Sequence, residues 1–169
     1  DHRTVSAFLN QVLKGFFPMT PVALKQTVDA PLAAVWESWD RYADVHSFHP
    51  GIENSYLVEN SRSTGLGAKR RCDFVGGKNY ILEEIVAYEE QRKMTLKIYD
   101  GDIPLKVAFV AFTFKPLGPK RTEITATARF TPKFGPLGLL LRPIMRKQLG
   151  KGLTELLAGN AAYVAARAA

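Results

Sequence analysis

Ala68-Lys-Arg-Arg-Cys-Asp-Phe-Val-Gly-Gly-Lys-Asn-Tyr-Ile-Leu-Glu-Glu-Ile85 is the stretch on which the fold turns. Gly76-Gly77 separates two alternating runs, and paired glycines are a strong signal for a two-residue hairpin turn, whose central positions need positive φ. If Val75 pairs with Lys78, the register of the whole ribbon follows. Phe74 then stands opposite Asn79, Cys72 opposite Ile81, Arg70 opposite Glu83, and Ala68 opposite Ile85. Directly opposed residues share a face. That face is mostly apolar and should line the interior, and it carries Arg70 and Glu83 inward with it. The other face sets Lys69 against Glu84, Arg71 against Leu82 and Asp73 against Tyr80. A turn one residue longer would exchange the faces and send Lys69 and Glu84 inward.

A buried, unpaired charge is costly, so Arg70 and Glu83 should pair or meet a polar ligand group. Two readings stay open. They orient a ligand's carbonyl, carboxylate or hydroxyl, or they form a cross-strand ion pair near the sheet end where water still reaches.

Downstream of the hairpin, strands are expected at 93–100, 105–116 and 121–131, separated by Glu89-Glu-Gln-Arg92, Asp100-Gly-Asp102 and Pro116-Leu-Gly-Pro119. Upstream, a strand is expected at 52–60 and another at 22–30. Between them Asp29-Ala-Pro31 reads as a helix start, with Val35, Trp36 and Trp39 at core spacing. That helix ends near Asp40, and a second short helix covers 41–47. From about 135 to 167 the pattern is helical, and Leu141, Met145, Leu149, Leu153, Leu156, Asn160 and Val164 trace one stripe. Pro143 either starts this helix or kinks it. The order is strand, two helices, six strands and a long helix, which predicts an α+β domain with an antiparallel curved sheet covered by the last helix.

Before this domain, Val5, Phe8, Leu9, Val12, Leu13 and Phe16 fall at helical spacing, and Pro18 ends the pattern. The division expected is an amphipathic helical extension over 1–18 and the sheet-and-helix domain over 19–169. The extension packs on the domain or serves as a membrane-surface or partner helix. The strand at 107–114 is apolar on both faces, so its outer side needs cover, from this helix or from a second subunit in a homodimer.

The chain has 169 residues, a formal net charge of +7, 46% hydrophobic residues and one cysteine. These values fit one globular domain and exclude a disulfide framework or a four-cysteine metal site. No apolar run approaches the length of a membrane span, and the cytoplasm is the default location. The excess charge is uneven. No acidic residue occurs from 124 to 154, where Arg129, Lys133, Arg142, Arg146, Lys147 and Lys151 all lie. This is a solvated face or a surface for an anionic membrane or an acidic carrier protein. Nucleic acid is not expected as a partner, since interleaved aromatics and recognised motifs are missing.

Taken together, Val28-Asp-Ala-Pro-Leu-Ala-Ala-Val-Trp36, Asp44, His46, His49-Pro-Gly-Ile52, Gly65-Leu-Gly67, Tyr80-Ile-Leu-Glu-Glu-Ile85 and Thr122-Glu-Ile-Thr-Ala-Thr-Ala-Arg-Phe-Thr-Pro132 carry a resemblance. The chain resembles the START/Bet v 1-like (SRPBCC) helix-grip proteins, and within them the polyketide cyclase/dehydrase group. The resemblance covers about 20–167. It implies a deep, largely apolar cavity between the sheet and the last helix, for a lipid, polyketide or similar molecule. It does not choose between a binding module and a cyclase or dehydratase, because the superfamily holds both.

The residues expected to touch such a ligand are Trp36, Arg70, Cys72, Phe74, Ile81, Glu83, Ile85, Met145 and Leu149. The candidate acid/base groups are His46, His49, Arg70 and Glu83. The two histidines act at the cavity mouth or serve only to cap and pack a loop. No metal and no cofactor is expected. A third and fourth ligand for His46 and His49 are lacking. Gly65-Leu-Gly67 lacks the third glycine of a dinucleotide fingerprint, and Gly135-Pro-Leu-Gly138 lacks the Gly-Lys-Ser/Thr of a phosphate loop. Tyr56, Tyr80, Tyr88 and Tyr99 are ligand donors or strand packing residues.

Overall fold

The structure, a computed structural model, describes residues 21–169. The amphipathic segment 4–17 and the domain boundary at 18 therefore lie outside the described residues. β1 (Val22–Val28) leads into α1 (Leu32–Asp40) and a 3-10 helix (Tyr42–Ser47). Then come β2 (Ile52–Leu57), β3 (Lys69–Phe74), β4 (Tyr80–Glu89), β5 (Lys93–Gly101), β6 (Leu105–Gly118), β7 (Arg121–Pro132) and α2 (Gly135–Ala168). The expected order is borne out, with the second short helix of the tighter 3-10 kind. The strands form one seven-stranded sheet in the order β1-β7-β6-β5-β4-β3-β2. Every neighbouring pair is antiparallel.

An eleven-residue connection joins β2 to β3, short turns join β3 through β7 in sequence order, and only the pairing of β1 with β7 spans the chain. Register shifts interrupt β2–β3, β4–β5 and β6–β7. Bulges of this kind bend a strand and raise its twist, and that curvature lets one sheet wrap a single helix. The concave face is apolar at every second position, as in Ala108, Val110, Phe112 and Phe114 of β6 and Ile124, Ala126, Ala128 and Phe130 of β7, all buried.

α2 closes the open face. Its buried stripe is Met145, Leu153, Leu156, Leu157, Asn160 and Val164. Leu141, expected to begin that stripe, is instead 41% exposed, because the sheet does not reach that far along the helix. Pro143 neither starts nor ends α2 but lies inside it. The polar member of the stripe has a structural partner. Asn160 Nδ2 donates to Ser38 Oγ at 2.8 Å, and Ser38 Oγ donates to the Val35 carbonyl at 2.7 Å. Gly159 brings α2 hard against the chain after the 3-10 helix, where a Cβ would collide with the Phe48 carbonyl oxygen.

The outer side of β6 was expected to need cover. Among the described residues none is supplied, and Phe109 is 43% exposed.

Candidate functional site

The β3–β4 register is the one the sequence predicts. Cys72 pairs with Ile81 and Arg70 with Glu83. The Phe74 N–H donates to the Asn79 carbonyl at 2.9 Å, and the Ile85 N–H donates to the Ala68 carbonyl at 2.9 Å. The ladder ends at Phe74, so Val75 and Lys78 belong to the turn, with Gly76 and Gly77 at φ of 96° and 67°. Period two then decides the rest: with Cys72 inward, Arg70 and Glu83 are inward too.

Between this ribbon, β5, β6 and α2 lies a cavity of about 350 Å³. Leu96, Ile98, Val110 and Phe112 form much of its sheet wall, and Met145, Leu149, Leu153 and Leu156 form its helix wall. Ile103 and Pro104 border it from the β5–β6 loop, Leu105 from the start of β6, and Phe74 and Asn79 from the β3–β4 hairpin. Arg70, Glu83, His49 and the thiol of Cys72 are the ionisable side chains on this wall.

Arg70 and Glu83 are each only 6% exposed. Arg70 Nε donates to Glu83 Oε2 at 2.7 Å, and Arg70 Nη1 donates to the Tyr42 carbonyl at 2.6 Å. The guanidinium also lies 4.2 Å from the centre of the Tyr42 ring. Burial by itself opposes the Arg70 charge, but the Glu83 carboxylate together with Cys72 and Tyr42 outweighs burial, and the Arg70 pKa is raised. The pair is therefore enclosed, not water-washed. Cys72 completes the cluster, with Sγ 3.5 Å from Glu83 Oε2. Burial pushes its thiol pKa up, which keeps it protonated and poorly nucleophilic. Burial also raises the Tyr42 phenol well above its ordinary value.

His49 enters from the break after the 3-10 helix. The Gly51 N–H donates to its Nδ1 at 3.0 Å. An Nδ1 that accepts cannot carry a proton, so the neutral ring holds its hydrogen on Nε2 and offers a donor. Burial lowers the His49 pKa, with Glu155 opposing.

The other expected site residues divide clearly. Phe74, Ile81, Met145 and Leu149 join Arg70, Cys72 and Glu83 on the cavity wall. Trp36 and Ile85 do not line it. Trp36 is packed edge-on against Tyr88 and Phe114 beneath α1, and Ile85 is fully buried one step along β4 from Glu83's side of the cavity. Their faces were read correctly, but other core residues stand between them and the cavity. His46 also lies away from it. It is exposed, its Nδ1 is 2.7 Å from Ser55 Oγ, and Ser55 Oγ donates to the Ala43 carbonyl. That arrangement ties the 3-10 helix to β2.

Tyr56, Tyr80, Tyr88 and Tyr99 are not on the cavity wall. Tyr88 donates to Asp40 Oδ1 at 2.7 Å, Tyr80 lies under Arg71, and Tyr99 lies beside Lys69. Burial, then Asp40, pushes the Tyr88 phenol up to about 12. Among the described residues, no cluster of His, Cys, Asp and Glu could hold a metal ion. Sequence reading missed Asn79 and Gln148 as the wall's neutral polar groups. The register already placed Asn79 opposite Phe74, but nothing local shows that the hairpin end borders a cavity.

A curved antiparallel sheet gripping one long helix around a lined cavity defines the helix-grip class. The model of the family described as polyketide cyclase / dehydrase and lipid transport matches residues 19–165, and the chain belongs to that family. Solved structures agree on the fold. A Thermus thermophilus protein is 20% identical with a TM-score of 0.73, covering 88% of this chain and 99% of its own. The Zhui aromatase/cyclase of a Streptomyces species is 16% identical with a TM-score of 0.73, covering 85% of this chain and 92% of its own. Norcoclaurine synthase from Thalictrum flavum, solved with dopamine and hydroxybenzaldehyde, is 15% identical with a TM-score of 0.65, covering 86% of each chain. No curated protein matches the sequence.

Proposed function

We propose that this protein binds a small, mostly apolar molecule with one polar end inside the cavity between sheet and α2. The observation that carries the reading is the wall itself: aliphatic and aromatic over most of its area, with Arg70, Glu83 and His49 among its few polar groups. A volume of about 350 Å³ falls in the range of small-molecule sites, and few placed polar groups in an apolar wall are their usual makeup. The apolar part of the guest fills the space beside Leu96, Ile98 and Leu153. Its polar end meets the His49 Nε2–H donor and the Arg70–Glu83 pair.

The test uses anilinonaphthalene sulfonate, an apolar fluorescent dye with one anionic end, as the probe. Leu149→Trp fills the cavity from the helix side and should weaken dye binding about tenfold or more, the scale set by excluding a ligand's apolar surface. The thermal midpoint should stay near that of the parent. Equal dye affinity in parent and variant would count against the cavity as the binding site.

An enzymatic reading of the same site has one observation in its favour. Three groups able to polarise or protonate a carbonyl compound share one wall, and an apolar pocket holds a flexible chain in a reactive conformer. The Zhui aromatase/cyclase and norcoclaurine synthase have this fold. On this reading His49→Ala abolishes turnover of a poly-ketone substrate while dye binding persists, and a variant that loses neither argues for binding alone.

A further inference from the structure

The start of α2 presents an uncommon surface. Phe134, Leu137, Leu140 and Ile144 are between 58% and 75% exposed, and Leu141 is 41% exposed. Leu137, Leu140, Leu141 and Ile144 follow i, i+3, i+4, i+7 spacing, so they form one continuous stripe on the solvent side of the helix. The same side then turns basic: Leu140 and Ile144 are followed at i+7 and i+11 from Leu140 by Lys147 and Lys151. Lys133 lies just before the stripe, and no acidic residue occurs from 124 to 154.

The backbone is special at the same place. Phe134 is held at φ 70°, in the left-handed region that a phenylalanine adopts only at a cost, yet its ring is 67% exposed. Strain spent to display an aromatic ring in water serves no internal packing.

This surface borders the cavity. The Lys133 N–H donates to the Pro104 carbonyl at 2.9 Å, and Lys133 Nζ donates to the Gly101 carbonyl at 3.1 Å, tying the helix start to the β5–β6 loop. Ile103 and Pro104 of that loop line the cavity, as do Met145 and Leu149, about three and four turns into the helix. Asp100 belongs to β5, where its Oδ1 accepts from the Gly101 N–H at 2.8 Å, and Asp102 is exposed in the loop itself.

We propose that the first turns of α2 dock this protein on an anionic lipid bilayer, with Phe134 and the stripe 137–144 set among the acyl chains and Lys147 and Lys151 at the headgroups. The apolar stripe runs about 10 Å along the axis, two turns of helix that can lie in the interface plane with their apolar side toward the acyl chains. Lysines one and two turns beyond it extend their stems along the apolar zone and keep their ammonium groups at the phosphates. A protein partner of ordinary surface chemistry does not account for apolar stripe and cationic border together, whereas an anionic bilayer does. Among the described residues no helix is long and apolar enough to cross a membrane, so the contact is peripheral. Docking requires no occupant in the cavity, and it sets the rim beside Ile103 and Pro104 against the lipid.

The experiment is co-sedimentation of the full chain with phosphatidylcholine vesicles and with vesicles containing about 30 mol% phosphatidylglycerol, at low salt and at about 0.5 M salt. Binding to the anionic vesicles should exceed binding to the neutral ones about tenfold or more, and salt should weaken it. Leu140→Asp with Ile144→Asp, and separately Lys147→Glu with Lys151→Glu, should each lose about tenfold or more. Circular dichroism and dye binding in the cavity should stay as in the parent, which separates failure of docking from failure of the fold or of the ligand site. Equal partition into both vesicle types, or variants that bind like the parent, overturns the proposal. A dimer in light scattering that Leu140→Asp with Ile144→Asp dissociates also overturns it, because a second copy then covers the stripe.

Discussion

The two halves of α2 obey opposite rules. Beyond Met145 the helix is gripped: Leu153, Leu156, Leu157 and Val164 are buried, Asn160 is locked to Ser38, and Gly159 abuts a backbone carbonyl. Before Met145 the same helix shows its leucines to solvent. Hydrophobicity therefore does not separate core from surface in this protein, since the exposed half is the more leucine-rich. The sheet decides, by where its concave face ends. The gripped half builds a wall and the open half builds a surface, and the cavity lies where the two meet.

The largest effect should come from the charges that face the gripped half. Glu83→Gln leaves Arg70 charged and enclosed without its carboxylate, and breaking a buried pair in this way costs about 3–5 kcal/mol. Urea unfolding of Glu83→Gln measures it, and the double variant Arg70→Met, Glu83→Leu should regain most of the loss. A cost under about 1 kcal/mol would mean that water screens the pair as it does on a surface.

A smaller effect compares two glycines of one helix. Gly159→Ala should destabilise by about 1–3 kcal/mol, because the added methyl group forces α2 off the Phe48 carbonyl. Gly152→Ala meets no neighbour and should be neutral or gain up to about 1 kcal/mol from helix propensity. Thermal melts of the two variants give the contrast directly, and equal shifts would erase the distinction between tight and loose contacts along α2.

The smallest effect is one of pH. Burial lowers the His49 pKa in the folded protein below its ordinary value. The unfolded chain then takes up its proton first as pH falls, so the His49 contribution is complete above about 6.5 and declines as pH drops toward the lowered folded value. Melting temperatures between about pH 7.5 and 5 should fall more steeply for the parent than for His49→Gln, which cannot charge. Parallel curves would show that His49 is as easily protonated folded as unfolded.

Much of this protein could be read from its residues. The Gly76-Gly77 turn set the β3–β4 register, and with it the opposition of Arg70 to Glu83 and of Cys72 to Ile81. These follow from local physics, because a turn and a period of two admit one pairing. The stripe of α2 was legible for the same reason, through its period of 3.6.

Other features are not local. Trp36 and Ile85 point into the core as their patterns require, but whether a core residue touches a cavity depends on what a distant strand places beside it. His46 and His49 stand three residues apart, yet one is tied to Ser55 at the surface and the other enters the wall, because the chain breaks between them at Phe48. Leu141 carries the periodicity of a buried residue and remains exposed, because periodicity states which side of a helix is apolar and not how far the opposing sheet extends. Sequence alone determined which elements form, in what order, and which residues oppose one another. Only the tertiary structure decided where the sheet's curvature leaves space, which side chains reach that space and where the grip on α2 ends, since each depends on distances between residues far apart along the chain.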